Sequence, residues 1–427
     1  MANIYEQMDA AQLDAEIAQL EQKVEEIRGQ QLALDMARGK PSPEQTALSR
    51  PMLDLVNSQT DFTAAGGVAD NYGFPDGLPA ARALAADLLD VDPANVIVSG
   101  SASLHIMFDL VNHGFVKGVA GHEPFYKQGP VKWLCPAPGY DRHFRVTEYL
   151  GFENVPVPMG PDGPDMDVVE ELVRDPAVKG IWCVPKYANP TGVTYSDEVV
   201  RRFAALEPAA PDFRIYWDNA YIVHDFEDEG DELLNIFDAL AEAGKTDLVY
   251  EFASTSKVTF PGSGMSWVAA SPADIAEVRS ALAVEQVGPE KFTELAHVLF
   301  LHDAAGVRAH MRKHAAIVKP RFDLVASKLA EGLGETGVAT WSHPRGGYFV
   351  SFDGPEGSAK KIVATMADLG VKMTGAGATW PGGNDPHDTN IRIAPTYPSL
   401  EDLGKALDVF VVAVKLVSAR LARESRA

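Results

Sequence analysis

The chain has 427 residues, 46% of them hydrophobic, with 37 Lys and Arg against 60 Asp and Glu and a formal charge of −23. That balance argues against a partner held through its phosphate backbone, since nucleic-acid binding needs clustered Lys and Arg; the excess of acid reads as solubility. The length exceeds the roughly 250–300 residues at which one core stops growing, so a large and a smaller domain are expected.

Only Cys135 and Cys183 occur, far apart and with no Cys-x-x-Cys, which suggests neither a disulfide framework nor a cysteine zinc site and points to reduced thiols in a cytoplasm. "MANIYEQMDA" lacks a basic region followed by an apolar stretch. No run approaches the ~18 apolar residues of a membrane span, so a soluble, cytoplasmic chain is expected.

In chain order, Leu13, Ile17, Leu20, Val24 and Ile27 recur at alternating steps of four and three. They form one face of a helix that packs on the body or on a sister subunit. From 51 to 319, short apolar runs bounded by turn residues alternate with helical patterns: "NVIVSG", "GIWCVP", "RIYWDN", "DLVYEFAS" and "WVAAS" read as strands. Such alternation predicts an α/β layer with a mostly parallel sheet flanked by helices. Residues 320–427 add a helix, β-like runs around "GGYFVSF" and "NIRIAP", and a closing helix; with residues 1–50 they are assigned to a smaller α+β domain. The acidic run "HDFEDEGDE" (224–232) reads as a solvated loop rather than a metal site.

There is no nucleotide-binding G-x-x-x-x-G-K-[ST], no H-E-x-x-H and no G-x-S-x-G elbow, and "GAGATWPGG" lacks the third glycine of a dinucleotide fingerprint. The chemical signal is in "EFASTSKVTFPGSGMSW", where Lys257 is the only charge from Phe252 through Ala273. A buried lysine tends to lose its proton and becomes a nucleophile able to form a Schiff base, although a surface lysine in a hydroxyl-rich loop has the same sequence appearance.

A Schiff-base cofactor such as pyridoxal phosphate also needs an acid partner for its ring nitrogen, donors to its phenolic oxygen, an anion site and a ring platform. Asp218 in "YWDNAY" ends an apolar strand and can hold the ring nitrogen, or simply form a turn. Tyr221 and Asn189 of "KYANPTG" can donate to the phenolic oxygen, while Asn-Pro-Thr-Gly is equally an ordinary turn. "VIVSGSASLH" runs strand, glycine, hydroxyls, helix, which suits a phosphate at a helix N-terminus or a plain N-cap. Tyr140 in "PAPGYDRH" is a candidate platform. Arg392 in "NIRIAPTYP" lies in an apolar run, where an unpaired guanidinium is expensive; a bidentate carboxylate, as on an α-amino acid, resolves that cost.

The ordered set "NYGFPDG" (71–77), "SGSAS" (99–103), "PGY" (138–140), "NPTG" (189–192), "DNAY" (218–221), "STSK" (254–257) and "RIAP" (392–395) resembles the class I aminotransferases of the fold-type I pyridoxal phosphate family, over nearly the whole chain. The resemblance implies Lys257 as Schiff-base lysine and proton carrier, Asp218 on the ring nitrogen, and Asn189 and Tyr221 on the phenolic oxygen. It further implies the amides of Ser101 and Ala102 with the hydroxyls of Ser254 and Ser256 on the phosphate, and Tyr140 on the ring. Tyr72 is implied to reach the phosphate of a neighbouring subunit, hence a homodimer, and Arg392 with the backbone at Gly39 to clamp the substrate α-carboxylate.

The commoner family pattern Pro-Gly-x-Arg is absent: "PGSGMSW" puts Gly264 where a phosphate-binding arginine is expected. In this the chain resembles the bacterial aspartate aminotransferase group related to the aminotransferase-like part of MocR-type transcription regulators. Transfer from L-aspartate to 2-oxoglutarate by a ping-pong mechanism is then the expected reaction. Arg38, Lys40, Lys127, Arg142 and Arg345 are candidates for reading a second carboxylate. The cofactor residues serve a β-lyase or decarboxylase equally, or an aminotransferase of other specificity. A ligand sensor of the MocR type is disfavoured, because residues 1–50 carry five Lys or Arg against nine Asp or Glu.

Overall fold

The structure, a computed structural model, describes residues 3–426. Its centre is an eight-stranded sheet in the order Val96–Val98, Ser266–Ala269, Val249–Ser254, Arg214–Asp218, Val178–Cys183, Lys132–Ala137, Glu153–Gly160, Gly163–Pro164. The four strands at its centre and Glu153–Gly160 pair in parallel, while Ser266–Ala269 runs antiparallel to both its neighbours and Gly163–Pro164 antiparallel to Glu153–Gly160.

Strands covered on both faces need an apolar residue at nearly every position. Val178–Cys183 and Arg214–Asp218 are buried throughout. Alternate residues feed two cores: Trp133, Trp182, Tyr216 and Phe252 on one face, Leu134, Ile181, Ile215 and Trp217 on the other. Cys135 and Cys183 are buried and unpaired, one in each core. The charged exceptions are neutralised in place, Lys179 by Asp212 at 2.7 Å and Arg214 by Asp274 at 2.8 Å, since an unpaired buried charge is costly.

A separate core gathers both ends of the chain. Helix Ala10–Arg28 starts at a capping box between Asp9 and Gln12 and buries Leu13, Leu20 and Val24, with Ile17 and Ile27 partly covered. It lies on the closing helix Leu400–Glu424, so the N-terminal apolar stripe packs on the chain's own body. Val350–Asp353 pairs antiparallel with Asn390–Ile393, placing Ser351 opposite Arg392. Helix Ala304–Leu333 joins the cores: Ala304, Val307 and Met311 pack with the sheet, whereas Val318, Phe322, Val325, Leu329 and Leu333 pack with the terminal core. Pro320 lies inside this helix. Among the described residues, no helix is long and apolar enough to cross a membrane.

Gly332 is a close approach of that helix to Leu400–Glu424: a Cβ there would stand 2.6 Å from Val411. Gly332→Leu is expected to destabilise the fold by about 1–3 kcal/mol through overpacking, read as a lower denaturation midpoint with the far-ultraviolet spectrum of the folded protein unchanged.

Candidate active site

Parallel strands expose their carboxyl ends along one edge, where open α/β sheets form their clefts. Ser101, Tyr140, Asn189, Asp218 and Lys257 all follow the carboxyl ends of co-directional strands, those ending at Val98, Ala137, Cys183, Asp218 and Ser254. Residues separated by 156 positions in sequence are thereby brought to one edge.

Asp218 is only 3% exposed. Its Oδ2 lies 3.0 Å from His143 Nε2, and its Oδ1 accepts from the Ser103 hydroxyl at 3.5 Å. His143 is itself fixed by stacking on Trp182, ring centroids 4.6 Å apart at 16°, with Tyr140 edge-on at 4.8 Å. A charged carboxylate so held can keep a proton on a basic group facing it. The sequence reading missed His143 and Ser103; the only available signal for the histidine was its place three residues beyond Tyr140 in "PGYDRH".

Lys257 follows the strand ending at Ser254, and its Nζ lies 4.9 Å from the centroid of the Tyr221 ring. Burial pushes its pKa down, and the charge of Asp218 opposes that push. The amine is thus held toward its neutral, nucleophilic form. Behind it, Tyr348 donates to the Lys257 carbonyl at 3.5 Å and accepts from Gln45 at 2.9 Å. His224 packs edge-on to both Tyr221 and Tyr348; burial, then the nearby Lys257 charge, drives its pKa well below the usual histidine value.

A helix start without a side-chain cap adjoins. Helix Ser103–Lys117 begins at Ala102, whose side chain cannot cap it, so no side chain takes up its first N–H groups. Ser254 donates to Ser256 at 3.0 Å, and Ser256 donates to the Ser101 carbonyl at 3.1 Å. Gly264 closes this cluster: a Cβ there would stand 2.6 Å from the Ser101 carbonyl oxygen and 3.2 Å from the Ser256 amide. Any side chain would separate the two loops, which accounts physically for glycine where the resemblance led us to expect arginine.

Arg392 is 8% exposed and is not unpaired. Its Nη1 donates to Asp141 at 3.0 Å and to Asn189 at 3.2 Å, while Nε is buried without a partner. The guanidinium lies 4.9 Å from the Phe349 ring. Gly39 abuts that ring so closely that a Cβ would come within 2.3 Å of it. The partner anticipated for Arg392 was a ligand carboxylate; in the structure one oxygen of Asp141 holds one nitrogen, and Nε and Nη2 make no hydrogen bond among the described residues.

Residues 8–425 match the model of a family described as aspartate amino-transferase. The chain is 43% identical over 402 residues to an aspartate aminotransferase of Corynebacterium glutamicum, covering 94% of this chain and 93% of that one. A crystal structure of an aspartate transaminase from the same species superposes with a TM-score of 0.96 at 41% identity, covering 98% and 99% of the two chains. The chain belongs to the aspartate amino-transferase family. At 20% identity, the α-aminoadipate aminotransferase LysN of Thermus thermophilus, solved with N-(5'-phosphopyridoxyl)-L-leucine, shares the fold with a TM-score of 0.73 over 90% and 92% of the chains.

In this family member the candidate second cations are not equivalent. Arg345 is engaged with Asp231 at 3.1 Å and the Glu229 carbonyl, which ties the acidic loop down, and Lys40 sits 3.7 Å over the Tyr397 ring. Lys127 is exposed beside Tyr126. Arg38 and Arg142 are exposed and form no ion pair among the described residues; Arg142 directly follows Tyr140 and Asp141 in the chain. Tyr72 is 81% exposed, on a loop that Lys291 holds by donating to the Gly73 carbonyl at 3.3 Å. No group of acidic, His or Cys side chains able to hold a metal occurs among the described residues.

The fit at Gly264 has a measurable consequence. Gly264→Ala is expected to weaken cofactor retention by about tenfold or more, the equivalent of ~1.4 kcal/mol, with the far-ultraviolet spectrum unchanged; equilibrium dialysis of the purified variant measures it.

Proposed function

We propose that this enzyme is a pyridoxal phosphate-dependent aminotransferase that moves the amino group of L-aspartate to 2-oxoglutarate in a ping-pong cycle, acting as a cytoplasmic homodimer. The observation that carries this reading is the convergence of three groups in one cleft: a desolvated amine at Lys257, a carboxylate at Asp218 anchored by His143, and an unfilled guanidinium fork at Arg392.

The cleft fits the cofactor in its parts. The uncapped start of helix Ser103–Lys117, with the Ser101 and Ala102 amides and the Ser254 and Ser256 hydroxyls, would hold the phosphate. Asp218 would keep the ring nitrogen protonated, Tyr140 would lie against the ring, and Tyr221 with the Asn189 amide nitrogen would hold the phenolic oxygen. The Asn189 side-chain oxygen is already occupied by Arg392, which leaves its nitrogen free to donate in that direction. When bound, the group supplies an electron sink for the pair left at the substrate α-carbon.

The protein's own groups then have defined tasks. Lys257 would be the base that takes the proton from the substrate α-carbon, for which a depressed pKa suits it. Arg392, with the backbone at Gly39, would hold the α-carboxylate. Aspartate as donor is supported by the Corynebacterium relative's name.

The dimer is supported by an exposed apolar surface. Val284 and Val287 are 90% and 71% exposed, and the segment carrying them abuts the Tyr72 loop, where a Cβ on Gly288 would stand 2.9 Å from the Gly73 carbonyl. Exposed apolar groups gathered in one place mark an association surface, and it would set Tyr72 toward a second subunit's phosphate.

The test is spectroscopic. Aspartate and glutamate are expected to convert the holoenzyme to its amine form with release of the matching oxo acid, whereas alanine and aromatic amino acids are not. Lys257→Ala should lower turnover by at least about a thousandfold while still binding cofactor; wild-type turnover in that variant rejects the mechanism. Sedimentation at micromolar concentration should give twice the chain mass.

A further inference from the structure

Asp141 belongs to none of the assignments above, yet it holds the residue that receives the substrate. Its Oδ1 accepts from Arg392 Nη1 at 3.0 Å. Of the other nitrogens of that guanidinium, Nε is buried without a partner and Nη2 makes no hydrogen bond among the described residues. A guanidinium is recognised best by a carboxylate that takes two parallel N–H bonds. Asp141 supplies one, so the pairing in this structure is a partial one, and Nη1 is shared with Asn189 besides.

We infer that Asp141 is a resident counter-ion which the substrate carboxylate must displace from Arg392, so that Asp141 sets the affinity of the carboxylate site. This rests on the reading of Arg392 as the α-carboxylate clamp. Nε is buried out of reach of an incoming ion, so a carboxylate can take two parallel bonds only end-on, through Nη2 and Nη1, the nitrogen Asp141 occupies, and the Phe349 ring covers one face of the guanidinium. The incoming anion and Asp141 therefore compete for the same donor.

The two partners differ in what release costs them. Arg392 is almost fully buried, with its side chain 8% exposed, and needs a counter-ion at all times, whereas the Asp141 side chain is 29% exposed and can turn into water. Asp141 is also the first residue of helix Asp141–Tyr149, where the exposed N–H groups favour a carboxylate whether or not it is paired. Loading the site is thus an exchange of one anion for another, and the guanidinium is never left bare. The cost falls on affinity, because a negative charge remains beside the bound carboxylate.

The test compares wild-type holoenzyme with Asp141→Asn and Arg392→Ala, using succinate, which has no amino or oxo group to react, as the calorimetric probe. Asp141→Asn keeps an oxygen acceptor and the helix start but removes the competing charge. It should bind succinate about three- to tenfold more tightly, and KM for amino and oxo acid should fall by the same factor with kcat no higher. Asp141→Ser gives the same readout should the Asn variant not fold. Unchanged or weaker succinate binding in the Asp141 variants, with binding lost in Arg392→Ala, overturns the exchange and leaves the clamp intact. Equal binding by wild type and Arg392→Ala instead removes the clamp itself, and the exchange with it.

Discussion

A carboxylate buried at the end of a central strand is the constraint on which the rest of the site depends. Asp218 is buried, and an ionised group there is tolerated only with donors around it. The donors come from two helices: His143 from Asp141–Tyr149 and Ser103 from the first turn of Ser103–Lys117. Satisfying Asp218 therefore fixes where both helices begin. Because those beginnings carry Tyr140 and Asp141 in one case and the Ala102 amide in the other, a ring platform, a guanidinium partner and an anion site are placed by the same requirement.

Electrostatics in the cleft follow from how few charges it contains. Lys257 feels burial first and Asp218 second, in opposite directions, so its proton affinity is set by one counter-charge. An arginine at 264 would have added a second cation close by, but the backbone of Ser101 and Ser256 already fills that space. Neutral donors around the anion site leave the amine's environment to Asp218. Close packing of two loops and a depressed lysine pKa are in this way parts of one arrangement.

The features legible in the sequence share a local cause. Strands buried on both faces appear as apolar runs bounded by turn residues, so "GIWCVP", "RIYWDN" and "DLVYEFAS" could be read as strands, with Asp218 placed at the end of one and Lys257 and Asn189 a few residues beyond the others. The helix face from Leu13 to Ile27 was legible for the same reason, periodicity. His143, Asp141 and Tyr348 were not. Each acquires its role from a partner 75 to 251 residues away, and nothing in the residues adjoining them marks that pairing. Gly264 was visible as an anomaly, but its cause, contact with Ser101 across 163 positions, belongs to the folded chain alone.

Arg392, the proposed carboxylate clamp, lies on a seam. Arg392 and Phe349 stand on or beside the antiparallel strands of the terminal core, while Asp141 and Asn189 extend from the large sheet. An apolar cluster of Tyr187, Tyr221, Tyr348, Phe349 and Ala394 spans the same seam, and helix Ala304–Leu333 runs through both cores. Two hydrogen bonds from one guanidinium nitrogen cross between the halves, and they are not alike: Asn189 is buried and neutral, Asp141 partly exposed and charged. Replacement of the charged one by a ligand's carboxylate leaves the neutral one as a fixed hinge point. The guanidinium can then change its anion without losing its orientation, because Asn189 on one side and the Phe349 ring on its face continue to hold its plane.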